Sequence, residues 1–443
     1  MSEVLRAVET AMPGVLADLK DLVAIETVSS LPEHDGDVRR GAAEVQRLLA
    51  SLGCPEVRLL EADGKPAVYG HFPAPGGAPT VLLYAHYDVQ PTGDRASWTA
   101  EPFRATERDG RLYGRGTADD KGGIAVHLAA LRAFAGRPPV GVKVFVEGEE
   151  EIGSPSMPAL LENFADELSA DVFVIADSVN WEVGKPSLTT ALRGTVDAEV
   201  TVSTLATGLH SGQFGGVVPD ALTALCRLLA TLHDERGDVA IGGLLGSDDV
   251  AVEYPEDRLR EETGVLDGVE WIGTGSLAAR MWSKPAATVL AIDATPVRDA
   301  SNTLTPTARA KVSLRLAPAD DAHRAALALE RHLLSHAEWG VRVEVVLGQA
   351  ASGSEIPMTD ERAAVAVEAF AQAFGVEPVQ IGCGGSIPIV AEFAARNAGA
   401  LVLVTAVVDP TSRMHGIDES LELADLRKAA VAEALLLDGL SRL

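Results

Sequence analysis

The chain contains little cysteine and has no long apolar run. Only three of its 443 residues are cysteines, and their positions (54, 226 and 383) do not have the paired spacing of a structural zinc site or a disulfide framework. No apolar stretch reaches the roughly 18 residues that a membrane span needs. The first residues are mixed and acidic rather than basic and then apolar, so they do not resemble a secretory signal. We therefore expect a cytoplasmic protein without a membrane partner.

Positive charge is also scarce. The chain has 37 Lys and Arg against 64 Asp and Glu, which gives a net charge of −27. A nucleic-acid partner needs a basic patch, and no such cluster is present. Docking on an anionic membrane surface is disfavoured for the same reason. The remaining composition, 47% hydrophobic and 23% charged, is that of a globular protein too long for one core.

The order of apolar patterns predicts two domains. Helical and strand-like segments alternate up to residue 186, which is typical of a mostly parallel sheet. Residues 187–352 instead combine alternating strands with two helices and a charged, irregular insertion at 253–276. The alternating helix and strand pattern then returns. We predict an α/β catalytic domain with a mostly parallel central sheet flanked by helices (residues 1–186 and 353–443), interrupted by an inserted α+β lid or dimerisation domain (residues 187–352).

Acidic residues and histidines follow several apolar runs at the point where each run ends. Ligands bind outside the carboxyl ends of strands in open α/β sheets, so we expect these side chains to converge. Their chemistry suggests a two-metal hydrolytic site. The residues concerned are His86 and Asp88 after the run 81–85, Glu147 to Glu151 after 142–146, Asp177 after 171–176, Asp119 and Asp120 after a Gly-Arg-Gly turn, and His415 after 401–404.

Each signal has a simpler alternative. His86 and Asp88 suit zinc or manganese, either as two ligands or with Asp88 holding the second ring nitrogen of His86, but they could also cap a strand. The acidic run at 147–151 could be a solvated loop, although adjacent carboxylates repel one another unless a cation neutralises them. Asp119 and Asp120 could cap the helix that follows.

These motifs together resemble the di-zinc metallopeptidases that include carnosine dipeptidase, aminoacylase and glutamate carboxypeptidase. The resemblance rests on HYDVQP at 86–91, GRGTADDKG at 114–122, EEIGS at 150–154, Asp177 and the Met-His pair at 414–415, and it spans essentially the whole chain. The large inserted module and the GGSIP string at 384–388 place the chain nearer the dipeptidase branch than the deacetylases.

The resemblance implies two divalent metal ions per subunit, with zinc preferred over manganese or cobalt. It implies that His86 and Asp177 bind one ion, that Glu151 and His415 bind the other, and that the carboxylate of Asp119 bridges the two ions. It also implies that the peptide bond between Asp119 and Asp120 is cis.

It also implies that Glu150 is the general base that activates a metal-bridging water and that Asp88 orients His86. In the inserted domain, His210 is expected to stabilise the oxyanion in its own or the partner subunit's site. The expected substrate contacts are Arg315, Ser386, Gly385 and Asn302, and for Arg315 a surface salt bridge remains an alternative.

The implied function is hydrolysis of a peptide bond in dipeptides or short peptides with a free C-terminal carboxylate. The implied partners are this small substrate and a second copy of the chain, bound through the inserted domain. One alternative uses the same site for N-acyl-amino-acid deacylation or deacetylation. Another is a non-catalytic metal- or ligand-binding homologue whose inserted domain serves only dimerisation.

Overall fold

The structure is a computed structural model that describes residues 3–385 and 387–443. Its helices are α1 Glu3–Val23, α2 Asp35–Ser51, α3 Lys121–Ala133, α4 Met157–Asn163, α5 Ser211–Phe214, α6 Ala221–Ala230, α7 Glu256–Thr263, α8 Leu277–Trp282, α9 Ala322–Ser335, α10 Glu361–Phe374, α11 Pro388–Arg396 and α12 Leu423–Leu440. Its strands are β1 Glu56–Leu60, β2 Ala67–Phe72, β3 Thr80–His86, β4 Thr106–Arg108, β5 Arg111–Tyr113, β6 Gly141–Glu147, β7 Val172–Ile175, β8 Ser187–Leu192, β9 Gly194–Ser203, β10 Leu209–His210, β11 Ala286–Asp293, β12 Thr303–Leu304, β13 Thr307–Leu316, β14 Arg342–Ala351, β15 Ser354–Glu355, β16 Val379–Cys383, β17 Leu401–Val404 and β18 Ser420–Glu422. Within the described ranges, no helix has both the length and the apolarity needed to cross a membrane.

The chain divides into two compact units. The first comprises Met1–Thr190, Ile356–Ile381 and Pro388–Leu443, and the second comprises Ala191–Glu355 and Gly382–Ile387. The role of the inserted part as a lid or dimerisation domain stays a prediction.

The main sheet of the first unit has the strand order β1-β2-β6-β3-β7-β17-β8. The four central strands β6, β3, β7 and β17 are parallel, whereas β1, β2 and β8 join antiparallel at the two sides. The predicted α/β class is confirmed, with the parallel part confined to the centre of the sheet. A small second sheet has the order β18-β5-β4.

Helices cover both faces of this sheet, which explains why its central strands read as continuous apolar runs. Alternate residues such as Val81 and Val174 belong to a core shared with α1, α2, α3, α10 and α12. Phe173 points to the other face, where it stacks on Phe393 of α11 with ring centroids 4.4 Å apart. Because each strand is buried along its length, the first polar residue after it lies at the carboxyl edge of the sheet.

The second unit contains an antiparallel sheet in the order β11-β13-β9-β14. One face packs against α6 and α9, and every second residue of β13, from Ala308 to Leu316, is buried there. One sequence-based expectation needs correction. The segment 253–276, expected to be irregular, contains α7.

Candidate metal centre

Two groups of potential metal ligands lie at the carboxyl edge of the central strands in the first unit. His86, Glu150 and Asp177 form one group, and Asp119, Glu151 and His415 form the other. Within each group, one ligand atom from every residue lies within 4.8 Å of the others. The structure therefore brings together all five residues for which a ligand role was predicted, with Glu150 beside them.

Asp119 connects the two groups. One of its carboxylate oxygens lies 3.1 Å from His86 Nε2, and the other lies 2.9 Å from His415 Nε2. His415 Nε2 also lies 3.2 Å from Glu151 Oε2. The peptide bond from Asp119 to Asp120 is cis, as the resemblance implied. This arrangement points one oxygen of the same carboxylate at each group.

Asp120 has a different role from its neighbour. Its side chain accepts a hydrogen bond from the Gly123 N–H at 3.2 Å and caps the N-terminus of α3. Its other oxygen accepts from the His86 N–H at 3.3 Å. The capping alternative is therefore right for Asp120, while Asp119 faces the histidines.

The site concentrates more negative charge than its histidines offset. Burial, followed by the charge of Asp177, raises the pKa of Glu150 well above its usual range. Burial is also the main reason why the pKa of Asp177 rises to about 7. Hydrogen bonds to Asp119 and then Glu151 raise the pKa of His415 to about 10. Carboxylates held together in this way need cations, and a donor set of imidazole nitrogen and carboxylate oxygen fits zinc or a similar divalent ion.

Asp88 ties the first histidine to the loop that carries the two glutamates. It is fully buried, with its backbone carbonyl oxygen 3.1 Å and its Oδ1 3.4 Å from His86 Nδ1. Its carboxylate also accepts hydrogen bonds from the backbone N–H groups of Glu150 at 3.2 Å and Glu151 at 3.1 Å. Asp88 thus fixes the ring through its carbonyl and carboxylate, and the glutamate backbone through its carboxylate.

Glu419 is a positioning residue that the sequence reasoning missed. Its buried carboxylate accepts from Arg115 Nη1 at 2.6 Å and from the N–H groups of Gly116 at 3.0 Å, Ala118 at 3.0 Å and Asp119 at 3.2 Å. It therefore holds the turn that carries the bridging aspartate. The only sequence signal was its place four residues after His415.

Gln90 is a second missed contact. Its side-chain amide donates to Glu151 Oε2 at 2.8 Å, and its backbone N–H donates to Oε1 of the same carboxylate at 3.1 Å. Gln90 therefore orients Glu151 as Asp88 orients His86. Its position inside the HYDVQP motif is a signal that could have identified it.

The predicted substrate residues belong to the second unit. His210 is exposed in β10 and pairs in register with Thr303 of β12, next to Asn302, whose carbonyl accepts from the Ser211 N–H at 2.9 Å. The structure thus brings His210 and Asn302 together. Arg315 lies near the end of β13, and Gly385 lies in the short segment Gly382–Ile387 of the same unit. Ser386 lies outside the described residues.

Comparison with known proteins gives consistent matches along the chain. Residues 82–438 match the model of peptidase family M20/M25/M40. The chain is 36% identical over 435 residues to the cysteinylglycine-S-conjugate dipeptidase of Corynebacterium striatum, covering 95% of this chain and 94% of that protein. It is 28% identical over 450 residues to human Beta-Ala-His dipeptidase, with 91% and 86% covered.

Solved structures show the same fold. The dipeptidase Dug1p from Saccharomyces cerevisiae superposes with a TM-score of 0.84 at 23% identity, covering 100% of this chain and 98% of that one. Human carnosine dipeptidase 1 superposes with a TM-score of 0.82 at 24% identity, with 99% and 98% covered.

Proposed function

The chain belongs to peptidase family M20/M25/M40, and from this premise we propose that it hydrolyses the peptide bond of dipeptides or short peptides with a free C-terminal carboxylate. The predicted class of enzyme, a dipeptidase-like metallopeptidase hydrolase, is confirmed by the family match and by the 36% identity to a dipeptidase. The observation that carries the proposal is the pair of ligand groups that share Asp119.

We propose that two divalent ions, with zinc as the first candidate, occupy these groups. His86 and Asp177 would hold one ion, Glu151 and His415 the other, and Asp119 both. When bound, the ions would lower the pKa of a water molecule and polarise the scissile carbonyl. Manganese and cobalt suit the same nitrogen and oxygen donors, so metal analysis has to identify the native ion.

In this proposal Glu150 carries the proton. Its carboxylate takes a proton from the attacking water and returns it to the nitrogen of the leaving amine, acting first as base and then as acid. Its raised pKa, caused first by burial, brings it closer to the working pH of such a group. Asp88 holds the Glu150 backbone through a 3.2 Å hydrogen bond and so positions the base.

In this proposal the second unit supplies the contacts with the substrate. His210 is proposed to donate a hydrogen bond to the oxyanion that forms on the scissile carbonyl, in its own subunit or in the partner's. Arg315 and the loop containing Gly385 and Ser386 are proposed to hold the terminal carboxylate, with Asn302 as a further contact. A planar guanidinium suits this task because it can donate two parallel hydrogen bonds to one carboxylate.

The first experiment combines metal analysis with a substrate panel. The panel contains an S-conjugate of Cys-Gly, β-alanyl-histidine, other dipeptides, N-acetyl amino acids and a longer peptide. Selective dipeptide cleavage that is lost on chelation and restored by zinc is the expected result. Cleavage of acyl-amino acids alone would support the deacylase alternative, and bound metal without any turnover would support a non-catalytic homologue.

The role of Glu150 can be separated from that of a metal ligand, since Glu150 also lies beside His86 and Asp177. Glu150→Gln should lower kcat by about 10²–10⁴-fold while the metal content stays unchanged. Glu182→Gln, at an exposed site of the same unit, is the control and should leave both unchanged. Loss of metal with Glu150→Gln would mean that this side chain is a ligand.

We also propose that the chain forms a homodimer through the second unit. Strand β11 is an edge strand, and its apolar side chains are exposed: Leu290 by 58%, Ile292 by 42% and Val289 by 37%. Exposed apolar edges favour pairing with another chain. Light scattering should report a dimer that Leu290→Lys dissociates, whereas Leu266→Lys, at an exposed position outside the sheet, should not. A monomeric wild-type protein would contradict the proposal.

A cytoplasmic location is also proposed. The low cysteine content, three in 443 residues, agrees with a reducing compartment. Cell fractionation tests this part of the proposal.

A further inference from the structure

Two arginines stand at the same end of the antiparallel sheet in the second unit. Arg315 lies near the end of β13 and pairs in register with Thr195 of β9. Arg193 immediately precedes β9, next to Gly194, which pairs with Leu316. Their backbones therefore lie on neighbouring strands within two residues of the same register position.

The side chain of Arg193 is buried, and hydrogen bonds hold its two outer nitrogens but not its Nε. The residue is 6% exposed. Its Nη1 donates to the carbonyl of Met281 at 2.8 Å and its Nη2 donates to the carbonyl of Lys284 at 2.7 Å. Its Nε is buried and has no hydrogen-bond partner. A buried donor without a partner is uncommon and indicates a position for a ligand or water.

Within the residues that the structure describes, neither Arg193 nor Arg315 makes an ion pair with a carboxylate. Burial, followed by the charge of Arg315, lowers the pKa of Arg193 to about 10. Other arginines differ: Arg309, on the same strand as Arg315, pairs with Asp293 and Glu199. In a chain with a net charge of −27, two arginines on neighbouring strands without a carboxylate partner are unusual.

The glycine-rich segment that begins at Gly384 lies next to Arg193. The Arg193 N–H donates to the Cys383 carbonyl at 3.2 Å, and Gly384 and Gly385 follow directly in the chain. An anion between the two arginines would offset their positive charges and accept a hydrogen bond from the free Nε–H of Arg193. Backbone groups of this loop would lie beside the anion.

We propose that Arg193 and Arg315 form a two-arginine anion site that takes the free α-carboxylate of the substrate. Arg315 offers its unpaired guanidinium as a fork, and Arg193, whose outer nitrogens already donate to carbonyls, contributes its charge and its Nε–H. The inference rests on the proposed function and adds Arg193 to the residues that would select a carboxylate over an amide. The competing account is that Arg193 only ties down the carbonyls of Met281 and Lys284.

The test compares kcat/KM for a dipeptide and for its C-terminal amide. Arg193→Gln should lower kcat/KM for the dipeptide about 10- to 100-fold, mainly through KM, the effect of losing one charge-assisted hydrogen bond. The value for the amide should change little, because the amide lacks the charge. Arg193→Lys should recover part of the loss, and Arg309→Gln is the matched control. Equal losses for both substrates, or none, would overturn the proposal in favour of the structural account.

A binding measurement separates this inference from the proposed function. The probes are N-acetylglycine and its neutral amide, and the readout is the thermal midpoint of the protein as purified. The acid should raise the midpoint of wild type and Arg309→Gln but not of Arg193→Gln or Arg315→Gln, and the amide should raise none. This pattern without dipeptide hydrolysis would refute the function and leave the anion site standing. Hydrolysis with Arg193→Gln behaving as wild type would refute the anion site alone.

Discussion

Replacement of Glu419 by glutamine tests whether one buried carboxylate holds the bridging aspartate in place. One oxygen of Glu419 accepts from Arg115 and the Gly116 N–H, and the other accepts from the N–H groups of Ala118 and Asp119. Glutamine keeps one accepting oxygen and turns an NH₂ group towards two donors. In either orientation two donors lose their acceptor, and the Arg115 guanidinium loses its negative partner.

The magnitude follows from the burial of the pair. The Arg115 side chain is 2% exposed and that of Glu419 is fully buried. Breaking a buried pair by removing one charge costs about 3–5 kcal/mol, a range that already includes part of the cost of the lost hydrogen bonds. We therefore expect Glu419→Gln to lower the free energy of unfolding by about 3–5 kcal/mol. Metal affinity should fall as well, because in either orientation the turn that carries Asp119 loses two of the four hydrogen bonds that Glu419 accepts from it.

The assay is urea denaturation followed by tryptophan fluorescence, together with metal content after dialysis. Glu422→Gln is the matched control, since its 3.5 Å contact with Arg111 is long and partly exposed; it should cost less than about 1 kcal/mol. Combining Glu419→Gln with Arg115→Met should cost less than the sum of the single changes, because no unpaired charge remains. A loss below about 1 kcal/mol for Glu419→Gln, with full metal content, would refute the reasoning.

Three further predictions concern the first unit. Asp88→Asn should lower activity or metal affinity about 10- to 100-fold, measured by kinetics and metal titration, because an amide cannot accept both backbone hydrogen bonds. Glu433→Gln should lower the free energy of unfolding by about 2–4 kcal/mol in urea, because the buried Glu433 carboxylate lies 2.8 Å from His127 Nδ1; an unchanged midpoint would contradict this. Metal affinity should weaken as pH falls below about 10 and more steeply below about 7, because first His415 (pKa about 10) and then Asp177 (pKa about 7) bind protons that the metal must displace. Titration calorimetry in two buffers should detect proton release, and pH-independent affinity would contradict the assignment.

The residues at the strand ends were predictable from the sequence because two simple rules combine there. Continuous apolar runs mark strands buried on both faces, and parallel strands place their carboxyl ends on one edge. His86 is the last residue of β3 and Asp177 lies two residues after β7, and these strands are direct neighbours in the sheet.

The charged helix α7 shows a signal that was present but not used. Its residues are too polar for an apolar stripe, and this led to the expectation of an irregular segment. Its ion pairs Arg260–Glu256 and Arg258–Glu262 are both four residues apart, the spacing that supports an exposed helix. Charge periodicity, rather than hydrophobic periodicity, would have identified it.

The contacts that Glu419 and Asp88 make with backbone N–H groups of the candidate centre could not be predicted, because they join distant parts of the chain. Arg115 and Glu419 are 304 positions apart. The bonds from Asp88 run to the N–H groups of Glu150 and Glu151, and any sequence supplies such groups. Only the folded register shows which carboxylate they reach.

The pairing of β18 with β5 should hold the metal ligands in place even in the metal-free protein. Strand β18 pairs with β5, with Ser420 opposite Tyr113, and the Gly114 N–H donates to the Glu419 carbonyl at 2.9 Å. The backbone ladder and the Glu419 carboxylate thus set the position of the His415 segment against the turn that carries Asp119, and neither contact involves a metal. The ligands are therefore held by the fold itself, unlike those of small zinc domains that unfold without their ion. Chelation should abolish activity while leaving the far-ultraviolet circular dichroism of the protein unchanged, and loss of helical signal on chelation would show that the ions, rather than this strand pairing, hold the two segments together.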